Sequence, residues 1–289
     1  MPLRGLFYSL FMQLLDGKAL SVQLIDSVKE KVASFKPTLA VILVGNHPAS
    51  LTYVKNKKNA CEQAGIKYVE FHFPETTSQK EVLHKIEQLN NDPSINGMIV
   101  QLPLPEHIYV PEVIRAIDPA KDVDGFHAYN LGKMFLSPEF EDLPPATPFG
   151  IVKLLDHYNI QIQGKEVVVV GHSNIVGKPI SIMMLNRNAT VTTCHIYTQN
   201  LAEHTRRADI LIVAVGKEKL ITADMVKEGV IVVDVGINRR QDGSLCGDVD
   251  FEEISKKASY ITPVPGGVGP MTIAALILNT VRATERQKS

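Results

Sequence analysis

Residues Gly164 to Pro179 read GKEVVVVGHSNIVGKP. Four consecutive valines, Val167 to Val170, suit a strand buried on both faces of a parallel sheet. The strand runs into Gly171, and Pro179 falls where the first turn of a helix tolerates a missing N–H. Strand, glycine turn and helix N-terminus together make a seat for a pyrophosphate, because unpaired backbone N–H groups converge there. The spacing departs from G-x-G-x-x-G: Ser173 stands at the second glycine and Gly177 comes one place late. Taken alone, the stretch reads equally well as an ordinary buried strand and turn.

The segments that follow favour the nucleotide site. Ala189 to Cys194, Ala208 to Gly216 and Val230 to Asn238 read as three further strands separated by helical segments. Such alternation implies right-handed crossovers and a parallel sheet. Two of these strands close on glycine, Gly216 and Gly236, at the carboxyl edge where open α/β sheets bind ligands. Sheets that read the ribose of NAD carry an acid roughly 20 residues beyond the first glycine. Val191 to Ile196 has no acid and includes His195, while His172 sits in the turn. The pattern points to NADP, with NAD as the alternative.

Working outward, the first half repeats the theme. Asp16 to Ser34 has apolar residues at helical spacing, Thr38 to Gly45 is a buried strand, and Ser50 to Ala64 is a helix closed by Gly65. Ile66 to Phe73 reads as a strand, Ser78 to Asn91 as a helix and Gly97 to Gln101 as a strand stopped by Pro103 and Pro105. The proline-rich segment Asp118 to Pro148 is a junction, Gly150 to Asn159 is helical, and an apolar helix over Thr272 to Thr284 follows TPVPGGVGP. The expected fold is α/β: two α/β domains flanking a cleft, the second a Rossmann-like nucleotide-binding domain with a parallel sheet. The apolar segment Met1 to Met12 reads as an extension ahead of a domain beginning near Gln13.

Bulk properties narrow the function. Thirty Lys and Arg against 31 Asp and Glu leave a net charge of −1 with no basic block, which disfavours nucleic acid or a membrane surface as partner. No apolar run reaches the roughly 20 residues that span a bilayer. Three scattered cysteines, Cys61, Cys194 and Cys246, form no metal or disulfide pattern and suit a reducing cytoplasm.

Four polar residues stand out in the first half. Tyr53 and Lys57 share one face of a helix and can grip an aromatic substrate or move a proton. Y-x-x-x-K also marks short-chain dehydrogenases, but there the pair follows the glycine turn within the nucleotide domain, whereas here it precedes it. Gln101 ends a strand at the sheet edge. Asp122 and Asp124, two apart in KDVDGF, share a face of an extended segment. No third hard ligand follows at metal spacing, so one acid accepting a ligand's N–H groups is the better reading. His127 reads as a loop residue.

These stretches resemble the bifunctional methylenetetrahydrofolate dehydrogenase/methenyltetrahydrofolate cyclohydrolase family. The similarity lies in PASLTYVKNKKNACEQAGI, NGMIVQLPLP, PAKDVDGFH, PATPFGIVKLL, VVVVGHSNIVGKP, ADILIVAVGK, IVVDVGIN and SYITPVPGGVGPMT, covering nearly the whole chain. The resemblance implies NADP-dependent oxidation of 5,10-methylenetetrahydrofolate to the methenyl compound, then hydrolysis to 10-formyltetrahydrofolate, in the cytoplasm. It implies tetrahydrofolate derivatives in the interdomain cleft, with Tyr53 against the pterin, Asp124 on its amino-pyrimidine edge, Lys57 serving hydrolysis and Gln101 orienting Lys57. Pro263 and Gly267 would line the folate pocket, Gly171, His172 and Ser173 would hold the cofactor phosphates, and Ile237 would pack near the nicotinamide. It further implies a homodimer. The domains would be 13–145 plus the C-terminal helix 271–289 for folate and 146–270 for nucleotide. His172 and Ile196 stand where family members commonly have Arg or Ser near the 2′-phosphate. A nucleotide-binding regulatory protein without chemistry is the competing reading, disfavoured by the joint presence of Tyr53, Lys57, Gln101 and Asp124.

Overall fold

The computed structural model describes residues 12–288. In chain order these form β1 (Gln13–Leu14), α1 (Gly17–Ser27), α2 (Lys29–Phe35), β2 (Thr38–Val44), α3 (Pro48–Ala64), β3 (Lys67–Phe73), α4 (Gln79–Asn90), β4 (Gly97–Val100), α5 (Val110–Ala116), α6 (Ala128–Met134) and α7 (Ala146–His157). The second half adds β5 (Glu166–Val170), α8 (Gly177–Leu185), β6 (Thr190–Cys194), α9 (Leu201–Thr205), β7 (Ile210–Val213), β8 (Ile231–Asp234), β9 (Asn238–Arg239), β10 (Leu245–Cys246), α10 (Phe251–Ile254), β11 (Tyr260–Ile261) and α11 (Val268–Lys288).

Two parallel sheets result. The first has the order β3-β2-β4 and the second β1-β11-β8-β7-β5-β6. In each, the first strand of the unit is flanked by the second on one side and the third on the other, so the crossover direction reverses beside it. A crevice opens at such a reversal, outside the carboxyl ends of the strands. All seven residues of β2 are buried, as are the four of β7 and Val167 to Val170 of β5, because helices cover both faces.

The expected α/β architecture is therefore present, with local differences. The first helix breaks at Val28 into α1 and α2. Gln13–Leu14, grouped by sequence with the first half, instead pairs in parallel with Tyr260–Ile261 at the edge of the six-stranded sheet. The junction 118–148 is more ordered than its prolines suggest, since it holds α6. The extension expected over Met1–Met12 lies outside the described residues except for Met12.

Helix α11 closes the molecule, packing on α7, α1 and α3. Asn279, fully buried in its middle, donates from Nδ2 to Val123 O at 3.0 Å and Pro144 O at 2.8 Å. Among the described residues, no helix is long and apolar enough to cross a membrane.

Candidate active site

Helix α3 starts at Pro48, where the ring's fixed φ suits the first turn. Ser50, Tyr53 and Lys57 follow at i, i+3 and i+7, which stacks them on one face. That face looks into a cavity of about 430 Å³ between the two sheets. Gln101, Leu102 and Pro103 supply the carboxyl edge of the first sheet; Ala214, Gly216, Val235, Gly236 and Ile237 supply that of the second.

Lys57 and Gln101 are 6% and 8% exposed, and Lys57 Nζ donates to Gln101 Oε1 at 3.0 Å. The Gln101 amide nitrogen donates to Leu102 O at 2.6 Å, which fixes the orientation of the amide. A buried ammonium thus meets a neutral acceptor, and Asp124, also lining the cavity, is the nearby opposite charge. Burial raises the Asp124 carboxyl above its ordinary range, and Lys57 opposes the rise. Among the described residues nothing donates a hydrogen bond to that carboxylate, so its acceptor sites are open to a ligand. Burial also pushes the Tyr53 phenol up, keeping its O–H a donor at neutral pH.

The two neighbouring acids have opposite fates. Asp122 is 1% exposed and faces away from ligand chemistry. Its oxygens accept from the N–H groups of Gly125, Phe126 and His127 at 3.1, 3.3 and 2.8 Å, and from Asn130 Nδ2 at 2.9 Å. Gly125, at φ +74°, turns the backbone within this knot so that the N–H groups of residues 125–127 converge on Asp122. His127 caps α6, accepting from Tyr129 N.

On the nucleotide side, β5 ends at Gly171, whose φ of +119° brings its backbone against Ala214 O. The Ser173 hydroxyl accepts from Val176 N and Gly177 N and so caps the start of α8. No protein acceptor among the described residues takes the N–H groups of His172, Ser173, Asn174 or Ile175. Four open donors at a helix N-terminus fit a pyrophosphate. The His172 and His195 rings lie 4.9 Å apart beside the end of β6. No carboxylate follows on residues 190–197 to hold a bare ribose diol.

Most residues singled out from sequence converge here: Tyr53, Lys57, Gln101, Asp124, Ser173 and Ile237 all line the cavity. Gly171 and His172 form the adjoining turn. Pro263 and Gly267 do not line it. Gly267 N donates to Pro263 O at 2.8 Å, closing a tight turn, and the following Val268, Gly269 and Thr272 reach the cavity instead. Sequence reading missed Thr147 and Thr272, whose hydroxyls meet at 2.9 Å across the starts of α7 and α11. They are 125 residues apart, and no local signal pairs them. A neighbouring groove of about 510 Å³ shares Leu102, Phe126 and Ile175 but holds neither Lys57 nor Asp124.

Comparison with known proteins agrees with this geometry. Residues 15–124 match the catalytic domain of tetrahydrofolate dehydrogenase/cyclohydrolase, and residues 145–288 match the NAD(P)-binding domain of the same family. The chain is 56% identical over 279 residues to the bifunctional protein FolD of Nautilia profundicola, covering 95% of this chain and 98% of that one. The crystal structure of the bifunctional dehydrogenase/cyclohydrolase FolD from Campylobacter jejuni superposes with a TM-score of 0.92 at 53% identity, over 95% of this chain and 99% of that one. The Trypanosoma brucei dehydrogenase-cyclohydrolase, solved with NADP cofactor and an inhibitor, gives 0.91 at 32% identity, over 95% and 98%. Two domain matches and this level of identity along nearly the whole length decide the matter: the chain belongs to the tetrahydrofolate dehydrogenase/cyclohydrolase family.

Proposed function

We propose that the interdomain cavity carries both reactions of the family on one set of side chains. The enzyme oxidises 5,10-methylenetetrahydrofolate to the 5,10-methenyl cation and hydrolyses that cation to 10-formyltetrahydrofolate. The observation that carries the reading is the buried Lys57–Gln101 pair opposite the unpartnered Asp124, in a cavity whose other wall is the nucleotide edge.

NADP, when bound, supplies the acceptor for the hydride leaving the methylene carbon. The chain's part in that step is placement, because hydride transfer requires the two carbons held in near-attack geometry. Tyr53 packs against the pterin, Asp124 accepts hydrogen bonds from its amino-pyrimidine edge, and Ile237 borders the nicotinamide. His172 and Ser173 offer backbone N–H groups to the phosphates, with Gly171 giving the turn. The paired imidazoles of His172 and His195 favour a 2′-phosphate over a free diol, and so NADP over NAD.

Hydrolysis needs proton movement. The Lys57 amine takes a proton from water as the oxygen bonds to the methenyl carbon. It returns that proton to N5 as the carbon–N5 bond breaks, while the carbinol O–H gives its proton to solvent as the formyl C=O forms, so one proton leaves overall. Gln101 keeps the amine aimed throughout.

Three structural assignments belong to the same proposal. The folate-binding part comprises 13–145 with the last helix, 271–289, and the nucleotide part 146–270; packing of α11 on α1 and α3 supports returning that helix to the first half, while its packing on α7 and the pairing of Gln13–Leu14 with β11 knit the two parts together. Pro263 and Gly267 belong to the folate pocket, in the turn that presents Val268 and Gly269 to the cavity. The protein works in the cytoplasm as a homodimer: its three cysteines are free and buried, and β6 is a bare sheet edge that a second copy can cover. Sedimentation should give twice the 31.9 kDa chain mass, and a monomer would sink the dimer.

One spectrophotometric experiment tests the chemistry. Protein is mixed with methylenetetrahydrofolate and NADP+ or NAD+, and reduced cofactor and methenyl product are followed separately. Reduced cofactor without methenyl accumulation is expected, faster with NADP+. Accumulating methenyl product would remove Lys57 from its role.

A further inference from the structure

Two buried acids outside the cavity are not used by the chemistry above. Asp234, at the end of β8, is 2% exposed, and Asp248, after β10, is fully buried. Neither is paired with a cation among the described residues; both are satisfied by N–H groups. Asp248 accepts from three consecutive backbone donors, Val215, Gly216 and Lys217, at 2.7, 3.0 and 2.8 Å. A fourth bond comes from Asn238 Nδ2 at 2.9 Å. Asp234 in turn accepts from the N–H groups of Gly236, Asp248 and Val249 at 3.0, 2.9 and 3.0 Å.

The bonds form a chain of command. Asp234 seats the backbone of Asp248; Asp248 then ties the loop after β7 to the loop after β8. Those two loops carry Gly216, Gly236 and Ile237, which form the nucleotide wall of the cavity. The carboxylates also fill the space beside the glycines. A Cβ on Gly236 would collide with the Asp248 carboxylate, and one on Gly247 with that of Asp234. Topology tells which end of the cofactor this wall meets. The open N–H groups of the turn after β5 would hold the phosphates, which would put β6 on the adenosine side and β7 and β8 on the nicotinamide side.

We infer that Asp248, seated by Asp234, is a positioning residue that locks the β7 and β8 loops into the shape that receives the nicotinamide end of the cofactor. This rests on the cofactor reading given above. A buried carboxylate is suited to the task because only an anionic acceptor with no proton of its own satisfies four converging donors. An amide in its place would turn a donor toward donors.

The test compares Asp248→Asn with wild type in the full-length protein, using three readouts. Binding of NADP+ should weaken about tenfold by calorimetry, whereas adenosine 2′,5′-bisphosphate, which lacks the nicotinamide, should bind within twofold of wild type. Hydrolysis of supplied methenyltetrahydrofolate requires no hydride transfer and should also stay within twofold. NADP+ binding and dehydrogenase rate both unchanged would overturn the inference. So would an equal loss of fragment binding, NADP+ binding and hydrolysis, which marks general structural damage. Should Asp248→Asn not fold, Asn238→Ala removes one of the four donors; it should give the same selective pattern at about threefold, and unchanged NADP+ binding would again overturn it. Wild-type protein that binds neither NADP+ nor the fragment would refute the cofactor reading itself, a separately visible result.

Discussion

Lys57 on α3 and Gln101 at the end of β4 are 44 residues apart in sequence and 3.0 Å apart in space, with almost no water on either. The helix brings the amine and the strand end brings the amide, so the pair exists only when the first sheet and its helix are packed. A buried amine is thereby held at one position on the cavity wall.

Replacing Lys57 by Met keeps the aliphatic stem and removes the amine. Cyclohydrolase activity should fall at least about a hundredfold, the scale of a lost acid–base group. The circular dichroism spectrum should stay that of wild type. Hydrolysis retained at wild-type rate would remove Lys57 from the mechanism.

Asp124→Ala deletes an open carboxylate acceptor from the cavity wall. The KM for methylenetetrahydrofolate should rise by roughly 10- to 100-fold, matching the about 1.5–3 kcal/mol of a charged hydrogen bond. Affinity for NADP+ should change little. In wild type the same acid sets a pH effect: its carboxyl titrates above the ordinary range because of burial, and only the ionised form accepts from the pterin edge without a proton in the way. Folate KM should therefore rise on acidification sooner than for an exposed aspartate, and Asp124→Asn should flatten that rise.

Asp122→Ala strands three backbone N–H groups in the interior and leaves the Asn130 amide with Pro119 O alone. A stability loss of about 3 kcal/mol is expected from denaturant titration, since unsatisfied buried donors cost about 1–3 kcal/mol each and the loop relaxes in part. A variant as stable as wild type would show that the knot is dispensable.

Asp234 gives a pH signature in stability. Burial, with Asp248 as a like-charge neighbour, raises its carboxyl from 3.8 to about 6. The folded chain therefore holds this proton through a range where the unfolded chain has lost it, and stability falls as pH rises from about 4 to about 6, by on the order of 3 kcal/mol. The thermal midpoint, followed across that range, should decline in wild type and decline less steeply in Asp234→Asn. Equal slopes would reassign the proton.

Local chemistry in the sequence made the frame readable. The valine run before Gly171 suits a doubly covered strand and forms one, and the i, i+4 spacing of Tyr53 and Lys57 put both on one helix face. What stayed hidden depends on distant backbone. Asp122 and Asp124 look equivalent as two acids in a short polar segment, and what separates them is the set of donors the folded loop aims at Asp122 and not at Asp124. Asp248 carries no motif at all; its meaning lies in N–H groups more than thirty residues away. The Pro263–Gly267 stretch forms a tight turn that delivers Val268 and Gly269 to the cavity, an apposition its glycines do not spell out.

The side chain of Asn279 ties Val123 to Pro144, the two ends of the segment that displays Asp124, from the middle of α11. Both sheets lie earlier in the chain than that helix, and neither supplies this brace. The sheets can therefore be fully paired while the Asp124 loop still lacks its clasp, so the loop takes its final shape only when α11 docks.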